Sequence, residues 1–334
     1  NQHSWMFLSS YEKLRNHILD NFGIVNMLHL GPRTFEELSG EVVQSTAFVI
    51  KNSKNIEKAT YYRLVDYKNV HLKEEHFLNR NNEFVSIPQT NFSKIPSSPI
   101  AYWVSENAFD VFQFAHEISE VANPRQGMAT SDVKRFIRFW TEVSIKNMNL
   151  NCRSREESRL SFKKWYPHNK GGGTRKWYGN NLYLVNWKND GKEVLDFAAK
   201  LYGSPTRTIK NLNYYFKASV TWGMIGSGNF TVRISSPGFT FDVGGPSAFP
   251  KKELINRTAS FLNSAVAFYF VKAINPTLNF NSGDIGRLPF LSEKIENKSS
   301  LINSFSERCK AYSKDDWDSR ETSWDFELSP LLIE

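Results

Sequence analysis

The sequence predicts an α/β segment at the N-terminal end, an α+β domain after it, and a helical tail. Three observations carry that reading. Residues 1–55 run helix, strand, loop, strand; residues 101–290 hold short strand-like runs between Gly, Asn and Pro turns; and residues 292–312 carry a polar helical pattern. At 334 residues the chain is long for one core and suits two domains or slightly more. With 40% hydrophobic and 14% aromatic residues it can bury a sizeable interior and does not read as disordered.

Ser9-Ser10-Tyr11-Glu12 reads as a capping box. Leu14, Ile18 and Phe22 follow at helical spacing, and Gly23 supplies the stop. Ile24–Leu30 is an apolar run ending at Gly31-Pro32, and Val42–Ile50 is rich in β-branched residues; both read as strands. That order suits the last part of a sheet. Pro88, Pro96 and Pro99 with polar neighbours place a boundary near residue 100. The expected division is therefore 1–60 as the end of a sheet domain, 61–100 as a linker, 101–290 as a second domain and 291–334 as a helical connector.

Within the second domain, strands are expected at Leu182–Trp187, Ser219–Ile225 and Phe230–Ile234, and a helix over Leu254–Ala273. Another helix is expected after Ser131-Asp132, either of which can cap it. Phe136, Phe139 and Trp140 would form its apolar side, and Lys134, Arg135 and Arg138 the other. Lys314–Glu327 is acidic, with Trp317, Trp324 and Phe326 as anchors.

Several chemistries find no support. Phe261–Ile274 is interrupted by Asn263, Ser264 and Lys272 and is too short and polar to span a membrane. Cys152 and Cys309 have no metal-ligand spacing and suggest no secreted scaffold, which favours a cytoplasmic protein. There is no P-loop, and Gly223-x-x-Gly226-x-Gly228 lacks the dinucleotide fingerprint's setting. The seven histidines have no Ser or Cys partner pattern. Asp284 with Glu296-x-Lys298 faintly echoes a nuclease metal site, a pattern common in polar helices. The chain starts at Asn1 without an initiator Met or a basic-apolar leader and stops at Glu334, and is read as a piece of something longer.

Charge is more informative. The net charge is +8, yet residues 121–180 alone hold thirteen Lys and Arg against four Asp and Glu, a surplus of nine, so the remainder sums to −1. Eight aromatics share that segment, among them Trp165, Tyr166, Trp177 and Tyr178. Cations neutralise phosphates and aromatic faces stack on bases, so the segment points to nucleic acid; the plainer alternative is a solvated charged face. Lys170 leads into Gly171-Gly172-Gly173-Thr174-Arg175-Lys176-Trp177-Tyr178-Gly179-Asn180. This is either a loop that offers backbone amides, charge and stacking to a phosphate or base, or a hairpin whose aromatics pack inward. The Thr130-Ser131-Asp132 block is either a phosphate-binding helix start or an ordinary cap.

Taken in order, these blocks resemble the large adenine-specific DNA methyltransferases of the BREX phage-defence system, the PglX family, and more distantly fused restriction-modification methyltransferases. The resemblance runs over residues 3–50, the stretch 125–143, the Lys170–Asn180 loop with Val185-Asn186-Trp187, Asn275–Phe280 with Gly283-Asp284-Ile285, and Lys314–Phe326. It implies transfer of a methyl group from S-adenosylmethionine to the N6 amine of a flipped adenine in double-stranded DNA. Residues 3–50 resemble the last third of the catalytic domain, the end of a Rossmann-like methyltransferase sheet. The catalytic tetrapeptide and the cofactor loop belong upstream, which leaves no catalytic residue and little cofactor pocket here; Asn275-Pro276-Thr277-Leu278-Asn279-Phe280 lacks that tetrapeptide's second Pro. Phe35 best fits the aromatic that stacks on the flipped base; the plainer alternative is a core Phe under the loop. The 101–290 region resembles a target-recognition domain. Expected DNA contacts are Arg125, Thr130, Asp132, Lys170, Arg175 and Lys176, together with Trp177, Tyr178, Arg233, Asn275, Thr277 and Asn279. Where the family often has Thr-Gly-Asp-Asn, this chain has Thr130-Ser131-Asp132-Val133. The other function class is a non-catalytic protein-interaction platform of a defence complex.

Overall fold

The apolar run after Gly23 forms the central strand of the first sheet. The computed structural model describes residues 1–36, 43–53, 58–226, 228–277, 279–291 and 298–332. These divide into two units: Asn1–Ala115 with Lys272–Pro276, and His116–Val271 with Thr277–Glu334.

The first unit contains strands β1 (Gly23–Gly31), β2 (Ser45–Lys51), β3 (Lys58–Arg63) and β4 (Glu83–Pro88), in the order β2-β1-β3-β4. β1 runs antiparallel to β2 and parallel to β3, and β4 returns antiparallel to β3. The helix Val70–Leu78, capped by the Asn69 side chain, lies in the passage from β3 to β4. Ile24, Met27, Ala59, Tyr61, Phe92 and Tyr102 are fully or almost fully buried.

Residues 61–100, expected as a linker, are folded into this unit. They hold the end of β3, the helix, β4 and the turn Gln89–Lys94. The proline-bearing stretch bends rather than separates, because Phe92, Ile95 and Ile100 between its turns are buried. The Gln89 amide seals it, accepting from Ile24 N and donating to the Leu19 and Phe22 carbonyls. Val42 lies outside the described residues, and the second strand starts at Ser45.

The first helix also corrects its sequence reading. It spans Glu12–Asn21 after a 3-10 turn at Ser9–Tyr11, and no side chain caps it, so the capping box does not form. Ile18 is buried as expected, but Leu14 is 44% exposed whereas Arg15 is fully buried. Arg15 donates to the carbonyls of Trp5 and Leu8 at 2.8 and 2.7 Å and to those of Ser97 and Ser98.

In the second unit the strands are β5 (His116–Glu117), β6 (Ile137–Phe139), β7 (Trp165–Asn169), β8 (Tyr183–Asn186), β9 (Ser219–Trp222), β10 (Val232–Ser235), β11 (Thr240–Phe241), β12 (Ser247–Ala248) and β13 (Pro289–Phe290). They pair as β11-β7-β8-β6, β10-β9-β12 and β13-β5. Met128, Phe136, Tyr166, Val185, Trp187, Phe216 and Phe241 belong to one buried cluster.

The strands expected near 182–187, 219–225 and 230–234 are present, the second of them shorter. The helix expected after Asp132 is a single turn, Val133–Phe136, that gives way at once to β6. Phe136 turns inward and Phe139, on an extended backbone, is 46% exposed. The helix expected over 254–273 is broken into Ile255–Leu262 and Ala265–Ile274. At the break, the Asn263 side chain bonds both the N–H and the carbonyl of Val232, a tertiary contact. The tail helix spans Ser299–Asp318. Among the described residues no helix is long and apolar enough to cross a membrane.

Candidate nucleic-acid interface

Three residues expected to touch DNA fall in one row across the β10-β9-β12 sheet. Trp177 bridges Arg233, Arg233 pairs with Thr221, Thr221 with Ser247, and Ser247 bridges Arg125. Directly opposed residues share a sheet face, so this row is polar, while Val220, Trp222, Val232 and Ile234 alternate to the other side. Arg233 is only 4% exposed, and burial together with nearby Arg175 lowers its pKa to about 10. Arg233 Nη1 and Arg125 Nε are buried without a hydrogen-bond partner among the described residues. Arg125 lies against the Tyr214 ring. The middle of the row, Arg233, Thr221 and Ser247, is thus interior, with Trp177 and Arg125 half-buried at its ends, and Arg233 does not present its charge to solvent.

The Gly171–Asn180 loop is attached to this sheet as a strand would be. Trp177 N donates to Val232 O and Ile234 N donates to Trp177 O, both at 2.9 Å. Gly171 sits at φ +80°, and a Cβ there would lie 2.0 Å from the Gly244 carbonyl oxygen. Glycine at this position is therefore explained by backbone packing. Gly172, by contrast, has open space around it.

The loop's side chains meet the tail helix. Arg175 pairs with Asp316 at 2.5 Å and lies over Trp317, which is buried. Lys314 sits over the Tyr178 ring, and burial, followed by the Asp318 charge, raises the Tyr178 pKa. The Arg175 bond holds the Asp316 carboxyl below its ordinary value. A cavity of about 330 Å³ lies between the two segments, with Tyr178, Phe239, Trp324, Lys310 and Lys314 in its wall. The acidic 314–327 stretch is accordingly an intramolecular clasp, and Arg175 and Tyr178 are engaged by it. Lys176 remains exposed while donating to the Asn263 carbonyl, and Lys170 is half-buried, near the Tyr183 ring.

The rest of the basic segment separates into spent and open charge. Arg135 pairs with Glu193, and Arg155 and Arg159 converge on the buried Asp190. Lys134, Arg138, Lys146, Arg153, Lys163 and Lys164 pair with no carboxylate among the described residues. The aromatics sort likewise. Phe136, Trp165 and Tyr166 are core residues, which removes Trp165 and Tyr166 as stacking faces, whereas Phe162 is 95% exposed.

Thr130 is buried, and Asp132 caps its short turn by accepting from Arg135 N at 3.0 Å. A turn this short makes the ordinary-cap reading the better one. Asn275 is buried, Thr277 half-buried and Asn279 exposed. Asp284 is held by Asn281 and Arg287, and Glu296 lies outside the described residues. Among the described residues no group of His, Cys, Asp or Glu is placed to hold a metal ion. In the first unit, Phe35 is 53% exposed just after β1, so it is not a core residue. Lys73 anchors the base of its loop: buried, it donates to the Leu30 and Leu64 carbonyls at 2.6 Å, and burial lowers its pKa to about 8.

No family model matches the chain. Among curated proteins it is 38% identical, over 343 aligned residues, to "Adenine-specific methyltransferase PglX" of Lacticaseibacillus casei (strain Zhang), covering 99% of this chain and 28% of that protein. It is 37% identical to "Adenine-specific methyltransferase BrxX" of Escherichia coli O9:H4 (strain HS), covering 99% of this chain and 26% of that protein. The chain is a homologue of one part of these adenine-specific methyltransferases. It spans about a quarter of their length. Of solved structures, the type IIL restriction-modification enzyme MmeI in complex with DNA is similar in fold: TM-score 0.52 at 13% identity, covering 100% of this chain and 43% of that one. The type IIG restriction endonuclease BpuSI matches at TM-score 0.38 and 12% identity, covering 92% of this chain and 41% of that one.

The departure from the methyltransferase pattern at Ser131 has a backbone cost. Ser131 sits at φ +61°, the left-handed region that glycine enters freely. Ser131→Gly is expected to stabilise the second unit by about 1 kcal/mol. A thermal melt that shows no gain for the variant would refute the strain.

Sequence reasoning missed a buried histidine pair in the first unit. His3 Nδ1 lies 2.9 Å from His29 Nε2, and His29 Nδ1 lies 3.1 Å from the Tyr102 hydroxyl. Burial lowers the His3 pKa from 6.5 to about 4. His29 is lowered well below its ordinary value by burial, then by the His3, Arg63 and Lys73 charges. Isolated histidines carry no sequence signal for such a pairing. The native pKa values lie below the unfolded one, so the unfolded chain takes up protons first as pH falls. Stability is complete above about pH 6.5 and is lost toward pH 4; His3 alone accounts for about 2 kcal/mol at pH 5. Denaturant unfolding at pH 7.5 and pH 5 should show this fall, and a His3→Gln/His29→Gln variant should flatten it.

Proposed function

We propose that this chain supplies the DNA-reading part of an N6-adenine DNA methyltransferase working in phage defence or restriction-modification in the cytoplasm. The second unit acts as the target-recognition domain on double-stranded DNA. The first unit completes a Rossmann-like methyltransferase sheet, and Phe35 stacks on the flipped adenine. The observation that carries this reading is the concentration of carboxylate-free cations in residues 121–180, a stretch with a surplus of nine positive charges. The similarity to PglX and BrxX supports the methyltransferase assignment, and the fold similarity to MmeI in complex with DNA supports the ligand.

Among the residues expected at the interface, Lys170, Lys176, Trp177, Thr277 and Asn279 keep accessible side chains and stay in the proposal. Asp132 caps its own turn, Arg125 is bridged to Ser247, and Thr130 and Asn275 are buried. S-adenosylmethionine is the methyl donor of the whole enzyme in this reading. The residues present do not fit it: the passage from β3 to its helix, Leu64–Asn69, contains no glycine to approach such a ligand. No step is assigned to this chain through the cofactor.

The test is a fluorescence-anisotropy titration of the chain against labelled duplex DNA at rising salt. Binding at low salt that weakens steeply is the expected result. Binding that ignores salt and requires another protein would turn the reading toward an interaction platform of a defence complex.

A further inference from the structure

The most exposed apolar group of the second unit stands inside its most basic segment. Phe162 is 95% exposed, Leu160 80% and Ile145 72%. Burying a phenylalanine ring is strongly favoured, so leaving one almost wholly in water costs solubility unless something covers it. The backbone around Phe162 is tied down on both sides. Asn149 Nδ2 donates to Ser161 Oγ at 3.5 Å, Lys163 N donates to the same hydroxyl at 3.2 Å, and Lys164 N donates to the Asn147 carbonyl at 3.1 Å. Lys163 Nζ reaches the Lys146 carbonyl, which sets the 145–147 turn beside the 161–164 segment. The ring is therefore held outward by a fixed backbone.

The neighbouring charge identifies what covers it. Lys163 and Lys164 follow Phe162 in the chain, Lys163 reaches the Lys146 carbonyl and Lys164 lies over the Trp165 ring; Arg153 and Arg138 belong to the same segment, and none of the five pairs with a carboxylate among the described residues. The nearby acids are Glu156 and Glu157 on the preceding helix, Glu142, and Glu193, which is paired with Arg135 and also feels the Lys164 charge; Asp190 is neutralised by Arg155 and Arg159. An apolar tip in a lysine-rich segment is complementary to a groove walled by phosphates and floored by stacked bases.

We infer that Phe162, with Leu160 and Ile145 at its sides, is a wedge that enters a groove of duplex DNA and parts a base step, while Lys146, Lys163 and Lys164 hold the flanking phosphates. The inference rests on the proposed DNA-binding function. Its discriminating feature is that an apolar wedge adds affinity without adding phosphate contacts.

The experiment compares wild type, Phe162→Ala, Phe162→Leu and Lys163→Gln/Lys164→Gln on a 2-aminopurine-containing random-sequence duplex over a range of salt. Phe162→Ala should bind about tenfold more weakly at every salt concentration with an unchanged salt slope, and the 2-aminopurine signal of base unstacking should disappear. Phe162→Leu should retain most of the binding and part of that signal. The double lysine variant should lower the slope by about 2 and keep the signal at saturation. Thermal midpoints should match wild type for the two Phe162 variants, since that side chain lies outside the core. If wild type binds and Phe162→Ala binds equally well with the same signal, the wedge is overturned while DNA binding stands. If wild type binds no duplex at any salt, the DNA-binding function falls and the wedge with it.

Discussion

Arg15→Leu is expected to cost the first unit about 3–5 kcal/mol, enough to unfold a marginal domain. Arg15 is fully buried and donates to the carbonyls of Trp5, Leu8, Ser97 and Ser98. The Ser97 and Ser98 backbones lie at φ +67° and +48°, a turn whose carbonyls the guanidinium gathers. A leucine fills much of the volume but leaves these acceptors in an apolar surround, at about 1–3 kcal/mol for each one that water cannot reach. Arg15→Lys retains the charge yet lacks the planar fork, so its loss should be intermediate. Urea unfolding, read as a midpoint shift at constant slope, measures both. A loss below about 1 kcal/mol for the leucine variant would mean that solvent reaches the carbonyls.

The same residue shows where sequence reasoning stops. A helix with Leu14, Ile18 and Phe22 at helical spacing reads as having those residues inside, and Arg15 reads as a surface cation. Ile18 is inside as that spacing implies, but Arg15 replaces Leu14 there, and its guanidinium serves carbonyls of residues 97–98, distant in sequence. Strands were legible where apolar runs sit between turn residues, as at Gly23–Gly31, Tyr183–Asn186 and Val232–Ser235. The broken helix was not legible, since Asn263 ends the first helix with its side chain bonded to Val232, a partner set only by tertiary packing. At the interface, the concentration of charge was legible but its availability was not. Arg175 and Lys163 look alike in sequence, yet one is clasped by Asp316 and the other pairs with no carboxylate among the described residues. The aromatics divide in the same way: Trp165 and Tyr166 supply core, and Phe162, not singled out by its pattern, is the ring left in water.

Duplex DNA affinity should fall about 500-fold between 50 and 200 mM salt, a log–log slope near −4.5, if about five of the open cations meet phosphates. The candidates are Lys134, Arg138, Lys146, Arg153, Lys163 and Lys164. Each neutralised phosphate releases condensed counterions, so each such cation replaced by glutamine should lower the slope by about 1. Lys134→Gln/Arg138→Gln should therefore lower it by about 2. Arg175→Ala/Lys176→Ala should move it by no more than about 1, since the Arg175 guanidinium already has the Asp316 carboxylate and can meet a phosphate only by giving that bond up. Its larger consequence should be a loosened tail, seen as faster proteolysis after residue 313. A slope shallower than about −2 would place the grip on DNA outside the 121–180 segment. A slope governed by Arg175 would mean instead that the acidic tail leaves the loop when DNA arrives, with Asp316 serving as the phosphate's stand-in until then.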